Sequence, residues 1–117
     1  MKKILLIDDD SSLLELISEE LKNLGFWVVV AICGNEAIEI LKDEAFDLVI
    51  SDFRMPNGNG MVVLEHVNKM IRPPTFFFLS AQADMSIEDC LKAGAKKFIN
   101  KPVDLNKIVY EIENIEG

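Results

Sequence analysis

Four short apolar segments of this chain each lead into a polar residue that could take part in metal or phosphate chemistry. The polar residues are an acidic triplet that begins at Asp8, then Asp52, Ser80 and Lys101. In an open parallel α/β sheet, ligands bind in the crevice outside the carboxyl ends of the strands. If the four segments are neighbouring parallel strands, one crevice collects carboxylates, a hydroxyl group and an ammonium group. Together these groups are typical of a magnesium-assisted phosphoryl site.

The acidic residues Asp8, Asp9 and Asp52 are candidate metal ligands. Carboxylate oxygens suit hard cations, and magnesium usually binds proteins through one or two carboxylates together with phosphate oxygens and water. Carboxylates that are packed together repel one another, so such a cluster makes sense only with a cation. Asp10 is different, because an aspartate there is more typical of a helix cap. For Asp8 and Asp9, capping is the weaker interpretation, but it stays open.

Lys101 and Ser80 could contact a phosphoryl group if their strands end beside the carboxylates. Lys101 precedes Pro102, and X–Pro bonds are the ones that adopt the cis form at appreciable frequency, so a fixed turn could direct the ammonium group inward. Ser80 could donate a hydrogen bond to a phosphoryl oxygen. The simpler interpretations also stay open, namely a surface ion pair for the lysine and a helix cap or turn for the serine.

Composition limits the class of protein. The 117 residues are the usual size of one domain, and half of them are hydrophobic, so the chain is not disordered. A net charge of −8 argues against nucleic-acid binding through a basic patch but leaves a basic protein partner open. The two cysteines lack metal-ligand spacing and are typical of reduced thiols.

No stretch approaches the ~20 apolar residues of a membrane span, and the apolar run near the start is too short for a signal peptide. We therefore expect one cytoplasmic domain over residues 1–117 that binds neither membranes nor nucleic acid directly.

Short apolar segments alternate with helical patterns along the whole chain, which predicts βαβ units and a parallel sheet. The predicted strands are residues 3–7, 26–31, 47–51, 75–79 and 97–100, and a helix follows each of them. The first, third and fourth strands have the most continuous apolar runs. They should therefore be central strands that are buried on both faces.

The helical patterns are less sharply bounded than the strands. The first helix should begin after a cap at Asp10 or Ser11. Its predicted core stripe consists of apolar residues spaced mainly by three and four, namely Leu13, Leu14, Leu16, Ile17, Leu21 and Leu24. The third helix is predicted over residues 60–70, and the fourth from a cap at Asp84 through Ala93.

Taken together, these motifs resemble the receiver domain of bacterial response regulators, the phosphorylated proteins of two-component signalling. The matching segments are residues 4–10, 47–56, 78–81 and 93–95, together with Lys101-Pro102. Each motif is weak alone, but they follow the order of the family over essentially the whole chain. The resemblance implies a flavodoxin-like (βα)5 fold with strand order 2-1-3-4-5 and helices on both faces of the sheet.

The resemblance also implies a role for each matching acidic position. Asp52 would be the phosphoacceptor. Asp9 would hold Mg²⁺ directly and Asp8 largely through water, while the backbone carbonyl of Arg54 would be a third protein ligand. Mn²⁺ could substitute for Mg²⁺.

The remaining matches imply a sensing role. Ser80 would be the hydroxyl that moves onto the phosphoryl group, and Lys101 would pair with the carboxylate or with a phosphoryl oxygen through a cis bond to Pro102. Phe98 falls at the position of the switch aromatic residue. A plain core phenylalanine stays open as its alternative interpretation.

The expected function is a phosphoacceptor switch. A sensor histidine kinase or phosphotransfer protein would phosphorylate Asp52, and the surface around the fourth and fifth strands would change for a downstream protein target or output domain. No external substrate is expected, so the chain would not be an enzyme beyond slow hydrolysis of its own phosphoryl group. The sequence leaves open the identity of the kinase and target, dimerisation on activation, and whether the chain stands alone or belongs to a larger protein.

Two other functions compete with this expectation. One is a degenerate receiver that binds a partner without phosphorylation, although the complete acidic, hydroxyl and lysine set argues against it. The other is a phosphatase with an aspartate nucleophile. Such phosphatases carry a second aspartate two residues after the nucleophile, which Asp8 and Asp10 match only in part, and a large substrate cap for which this chain has no room.

Overall fold

Five parallel strands form one sheet in the computed structural model, which describes residues 2–55, 57–80 and 87–115. The strands are β1 (Lys3–Ile7), β2 (Trp27–Ala31), β3 (Leu48–Asp52), β4 (Thr75–Ser80) and β5 (Lys97–Asn100), in the spatial order β2-β1-β3-β4-β5. The helices are α1 (Ser11–Asn23), α2 (Gly34–Asp43), α3 (Gly60–Asn68), α4 (Ile87–Lys92) and α5 (Leu105–Glu113). The predicted flavodoxin-like fold is confirmed, and so is the central position of β1, β3 and β4.

Different helices cover the two faces of the sheet. Leu5 and Ile7 of β1 pack in one core cluster with residues of α2, α3 and α4, whereas Ile4 and Leu6 pack in a second cluster with residues of α1 and α5. The three phenylalanines of β4 are divided between the two clusters in the same alternating way. Because both faces are covered, a central strand must be apolar at nearly every position, which explains the continuous runs in the sequence.

The predicted core stripe of α1 is partly wrong. Leu14, Ile17 and Leu21 are buried against the sheet, but Leu16 and Leu24 are 56% and 51% exposed. Successive residues of a helix are rotated by about 100°, so Leu16 points away from the face that Leu14 and Leu21 share. Leu24 follows the last helical residue as the C-cap. Leucine spacing alone therefore overestimated the width of the buried stripe.

Several element boundaries differ from the prediction by one or two residues. Phe26 stays outside β2, because its N–H donates to the Leu21 carbonyl oxygen (3.1 Å) and so closes the end of α1. β3 and β4 each extend one residue further than predicted, to Asp52 and Ser80. Both of these candidate site residues therefore belong to the sheet itself.

The helix starts were predicted from capping residues. The Asp10 carboxylate accepts a hydrogen bond from the Leu13 N–H (3.1 Å), which confirms it as the cap of α1. α3 ends at Asn68, two residues earlier than predicted. The predicted cap of α4, Asp84, lies outside the described residues. Within the described part of the chain, no helix has both the length and the apolar character needed to cross a membrane.

Candidate functional site

The carboxyl ends of four strands bring the predicted site residues to one edge of the sheet. Asp8 follows β1 directly, Asp52 ends β3, Ser80 ends β4 and Lys101 follows β5. The carboxyl ends of these strands lie side by side at this edge. β1 pairs in register with β3, β3 with β4, and β4 with β5, in each case up to the last one or two residues of the strands. The grouping that the sequence predicted from strand ends is therefore present.

The acidic residues form a cluster that fits a divalent cation. One carboxylate oxygen from each of Asp8, Asp9 and Asp52 lies within 4.8 Å of the others. Asp8 and Asp52 are buried and Asp9 is exposed, so the cluster opens to solvent on one side. An all-oxygen, negatively charged donor set is what Mg²⁺ prefers. The residues present therefore fit the expected metal.

Lys101 supplies the positive charge of the site. Its Nζ lies 2.9 Å from Oδ2 of Asp8 and 3.3 Å from Oδ2 of Asp52. The predicted cis peptide bond to Pro102 is present, and the Lys101 N–H donates to the Ser80 carbonyl oxygen (2.8 Å). Burial lowers the pKa of Lys101, but the hydrogen bond and charge of Asp8, followed by those of Asp52, outweigh burial and raise the pKa. The side chain is therefore a cation throughout the neutral range.

The Asp52 carboxyl group has a strongly shifted pKa. The pKa of Asp52 is raised to about 6. Burial is the largest cause of this rise, and the charge of Asp8 is the second. Lys101 opposes this rise through its charge and a hydrogen bond, while Asp9 contributes a smaller increase. The carboxylate is thus ionised at neutral pH, but the folded protein favours its protonated form more than the unfolded chain does.

This shift predicts that Asp52→Asn stabilises the metal-free protein. The pKa of Asp52 is higher in the folded state than in the unfolded state, so ionisation opposes folding. At about pH 7 the variant should be ~1–2 kcal/mol more stable than the wild type, after allowance for the partial solvation of the site. The difference should grow as the pH rises from about 4 to about 6 and then stay constant.

Urea unfolding in the presence of a chelator, followed by circular dichroism between about pH 4 and pH 8, measures this difference. Asp43→Asn at the exposed end of α2 is the matched control, and it should change stability by less than ~0.5 kcal/mol at every pH. Equal stability of Asp52→Asn and wild type at about pH 7 would contradict the prediction.

The structure places two of the predicted sensing residues, Ser80 and Phe98, in β4 and β5 respectively. Ser80 is buried and pairs in register with Asn100 of β5. Phe98 is half-buried, opposite Phe78, and packs against the core cluster that includes α2, α3 and α4. The Arg54 side chain is exposed in the loop after β3. The switch roles of Ser80 and Phe98 and the ligand role of Arg54 stay predictions.

Sequence reasoning missed the contacts that close the end of β3. The Ser51 hydroxyl is fully buried and donates to the Asp52 carbonyl oxygen (2.9 Å). Gly60, the first residue of α3, approaches so closely that a Cβ there would lie 2.5 Å from the same oxygen. The sequence analysis predicted only that the third helix begins at residue 60, although a glycine at the helix start is a signal for a close backbone approach.

Comparison with known protein families identifies the family to which this chain belongs. The sequence model described as "Response regulator receiver domain" matches residues 4–113. The chain belongs to this family. Receiver domains are parts of response regulators in two-component signalling, which is the assignment that the sequence motifs predicted.

The receiver domain has relatives of known name and structure. It is 32% identical over 114 residues to the transcriptional regulatory protein CrdR of Helicobacter pylori, which covers 96% of this chain and 54% of that protein. The chain thus spans between about a quarter and about half of the length of the curated relatives that it matches. The non-phosphorylated HemR receiver domain of Leptospira biflexa has a TM-score of 0.87 and 35% identity, with coverage of 98% and 94%. The response regulator TrrA of Thermotoga maritima, in complex with Mg²⁺-BeF, has a TM-score of 0.87 and 27% identity, with coverage of 98% and 99%.

Proposed function

We propose that this receiver domain is a phosphoacceptor switch in which Asp52 takes a phosphoryl group from a sensor histidine kinase or phosphotransfer protein. One observation carries the proposal: the buried carboxylate of Asp52 belongs to an acidic cluster that fits a divalent cation, and it lies 3.3 Å from the ammonium group of Lys101. That arrangement suits a carboxylate nucleophile, because the nearby positive charges can neutralise the negative charge of the phosphoryl group that it accepts. The cytoplasm is the proposed location.

The reaction needs only one bond to form and one to break. An Asp52 carboxylate oxygen attacks the phosphorus atom of a phosphohistidine, and the histidine nitrogen leaves with the electron pair of the broken P–N bond. The product is an acyl phosphate on Asp52. Transfer of this kind depends on positioning and on charge neutralisation rather than on proton transfer by a side chain. The domain would therefore act on no external substrate, apart from slow hydrolysis of its own phosphoryl group.

The charges around Asp52 set up that neutralisation. Asp8, Asp9, Asp52 and the Arg54 carbonyl would hold Mg²⁺, and Mn²⁺ could replace it. When bound, the cation supplies positive charge to the phosphoryl oxygens. Lys101 supplies a second positive charge from the end of β5, and its raised pKa keeps it protonated during transfer.

Phosphorylation would change the fourth and fifth strands because it changes the charge at Asp52. The side chain goes from about −1 to nearly −2 and gains acceptor oxygens. Ser80 and Lys101 would bind these oxygens, and Phe98 would follow the movement of the neighbouring backbone. The outer surface of β4, β5 and their helices would then suit a different partner. A downstream protein or an output domain is the proposed target, because curated relatives such as CrdR are transcriptional regulatory proteins about twice as long as this chain.

Labelling with acetyl phosphate and Mg²⁺ tests the proposal. Intact-protein mass spectrometry should show the gain of one hydroxylamine-sensitive phosphoryl group, and a chelator should prevent it. Amide NMR signals of Ser80 and Phe98 should then shift on labelling. Absence of any mass gain would favour a degenerate receiver that binds partners without phosphorylation. Turnover of external phosphate esters would favour the phosphatase. A mass gain without NMR shifts would support the acceptor and contradict the switch.

A further inference from the structure

The N-terminus of α2 is held by the loop that follows β3 rather than by its own capping residue. The Gly34 N–H donates to the Gly58 carbonyl oxygen (2.9 Å), and the Asn35 N–H donates to the Asn57 carbonyl oxygen (3.1 Å). Cys33, at the N-cap position, makes no side-chain hydrogen bond to the helix. The first N–H groups of a helix have no hydrogen-bond partners within the helix. Here, two backbone carbonyl groups of a distant loop accept hydrogen bonds from them. We call these two hydrogen bonds the α2–loop contact.

The α2–loop contact requires glycine on both sides. A Cβ on Gly34 would overlap the carbonyl oxygen of Gly58 and would lie 2.7 Å from its carbonyl carbon. Gly58 has a φ of +102°, and a Cβ there would lie 2.9 Å from the backbone nitrogen of Asn35. Both obstacles are backbone atoms, so an alanine at either position must move the helix or the loop.

The same loop carries the backbone carbonyl of Arg54. Its near end is held by Phe53, whose N–H donates to Leu79 of β4 (2.9 Å) and whose carbonyl oxygen accepts from the Gly60 N–H (2.8 Å). Met55 is buried in the core cluster beside α2 and α3. Beyond Met55, the backbone carbonyls at positions 57 and 58 bond to α2. The path of the loop around Arg54 therefore depends on α2 as well as on the strands that carry the carboxylates.

We propose that Gly34 and Gly58 are positioning residues for the metal site, because their close approach holds the loop in the conformation that presents the Arg54 carbonyl. This inference rests on the proposed function. It makes α2, which contributes none of the predicted site residues, part of the machinery that determines Mg²⁺ affinity. By reciprocity, Mg²⁺ binding should strengthen the α2–loop contact.

Gly34→Ala tests the inference through Mg²⁺ binding measured by isothermal titration calorimetry. The variant should bind Mg²⁺ about tenfold more weakly, which corresponds to about 1.4 kcal/mol. Gly25→Ala is the control for general destabilisation: Gly25 has a positive φ (+96°), so an alanine there is strained, but no atom lies within 4 Å of a Cβ there. The control should lose stability and keep its Mg²⁺ affinity.

The results separate the inference from the proposed function. If wild type neither binds Mg²⁺ nor becomes labelled, the proposed function fails and the inference fails with it. If wild type does both, and Gly34→Ala binds Mg²⁺ as tightly as wild type, only the inference is overturned. An equal loss of affinity in Gly25→Ala would also overturn it, since the effect would then follow general destabilisation.

Hydrogen exchange in the wild-type protein gives a second test that needs no folded variant. Exchange of the Gly34 and Asn35 amides should slow on addition of Mg²⁺, because the metal and the α2–loop contact stabilise the same loop conformation. The Glu44 amide, which donates to the Ile40 carbonyl oxygen at the other end of α2, is the internal control and should not change. Unchanged exchange at Gly34 and Asn35 would overturn the inference.

Discussion

Replacing Asp52 with asparagine should reduce phosphoryl labelling of this receiver domain to background, a loss of at least about 100-fold. The amide is nearly the same shape as the carboxylate but is a far weaker nucleophile. Without metal, the variant should also be more stable than wild type at neutral pH, since it lacks a buried charge near Asp8. Loss of labelling therefore could not be attributed to unfolding.

The labelling experiment compares three proteins under the same conditions. Wild type and the exposed control Asp43→Asn should gain one hydroxylamine-sensitive phosphoryl group from acetyl phosphate and Mg²⁺, and Asp52→Asn should gain none. Intact mass and the rate of labelling are measured together. Equal labelling of Asp52→Asn would show that another side chain accepts the phosphoryl group, and the assignment of Asp52 would be wrong.

Replacing Lys101 with alanine should destabilise the metal-free protein by about 2–4 kcal/mol at neutral pH. The Asp8 side chain is 1% exposed, and its Oδ2 lies 2.9 Å from the lysine Nζ, so the variant leaves a buried carboxylate without its cation. Asp52 loses the same partner at 3.3 Å. Addition of Mg²⁺ should restore part of the lost stability, because the metal supplies positive charge to the same carboxylates.

Lys97→Ala provides the matched control for this loss. Lys97 lies in β5, and its Nζ is 3.3 Å from Glu111, but its side chain is 50% exposed. A surface pair of this kind contributes at most about 1 kcal/mol. Urea unfolding with and without Mg²⁺ measures both variants. If both variants lost equally little stability, the prediction that Lys101 stabilises the metal-free protein would be contradicted.

The pH dependence of the Lys101 effect has a definite sign. The pKa of Lys101 is raised in the folded state, so its stabilising contribution is fully present below the unfolded pKa of about 10.4. It should be lost only as the pH rises beyond that value, through the folded pKa. On the alkaline side, the difference between wild type and Lys101→Ala should therefore stay large through the neutral range and decrease only in strong alkali.

The sheet and its central strands could be predicted because their signals are local. A strand that is buried on both faces must be apolar at nearly every position, and β1, β3 and β4 show this in a few consecutive residues. The turn residues and caps between the strands are equally local, as Asp10 at the start of α1 shows. Errors arose where the leucines extend beyond the buried face or the end of a helix, as Leu16 and Leu24 do.

The sequence by itself determined which reactive side chains stand at strand ends, because a strand and the residue after it are adjacent in the chain. Only the tertiary structure decided how these side chains act on one another. The raised pKa of Asp52 comes from burial and from Asp8, which are supplied by residues far away in sequence. The contact between Gly34 and Gly58 likewise joins two segments that carry no common pattern. Charge interaction and close backbone approach both depend on distances in space, and no local pattern of residues encodes those distances.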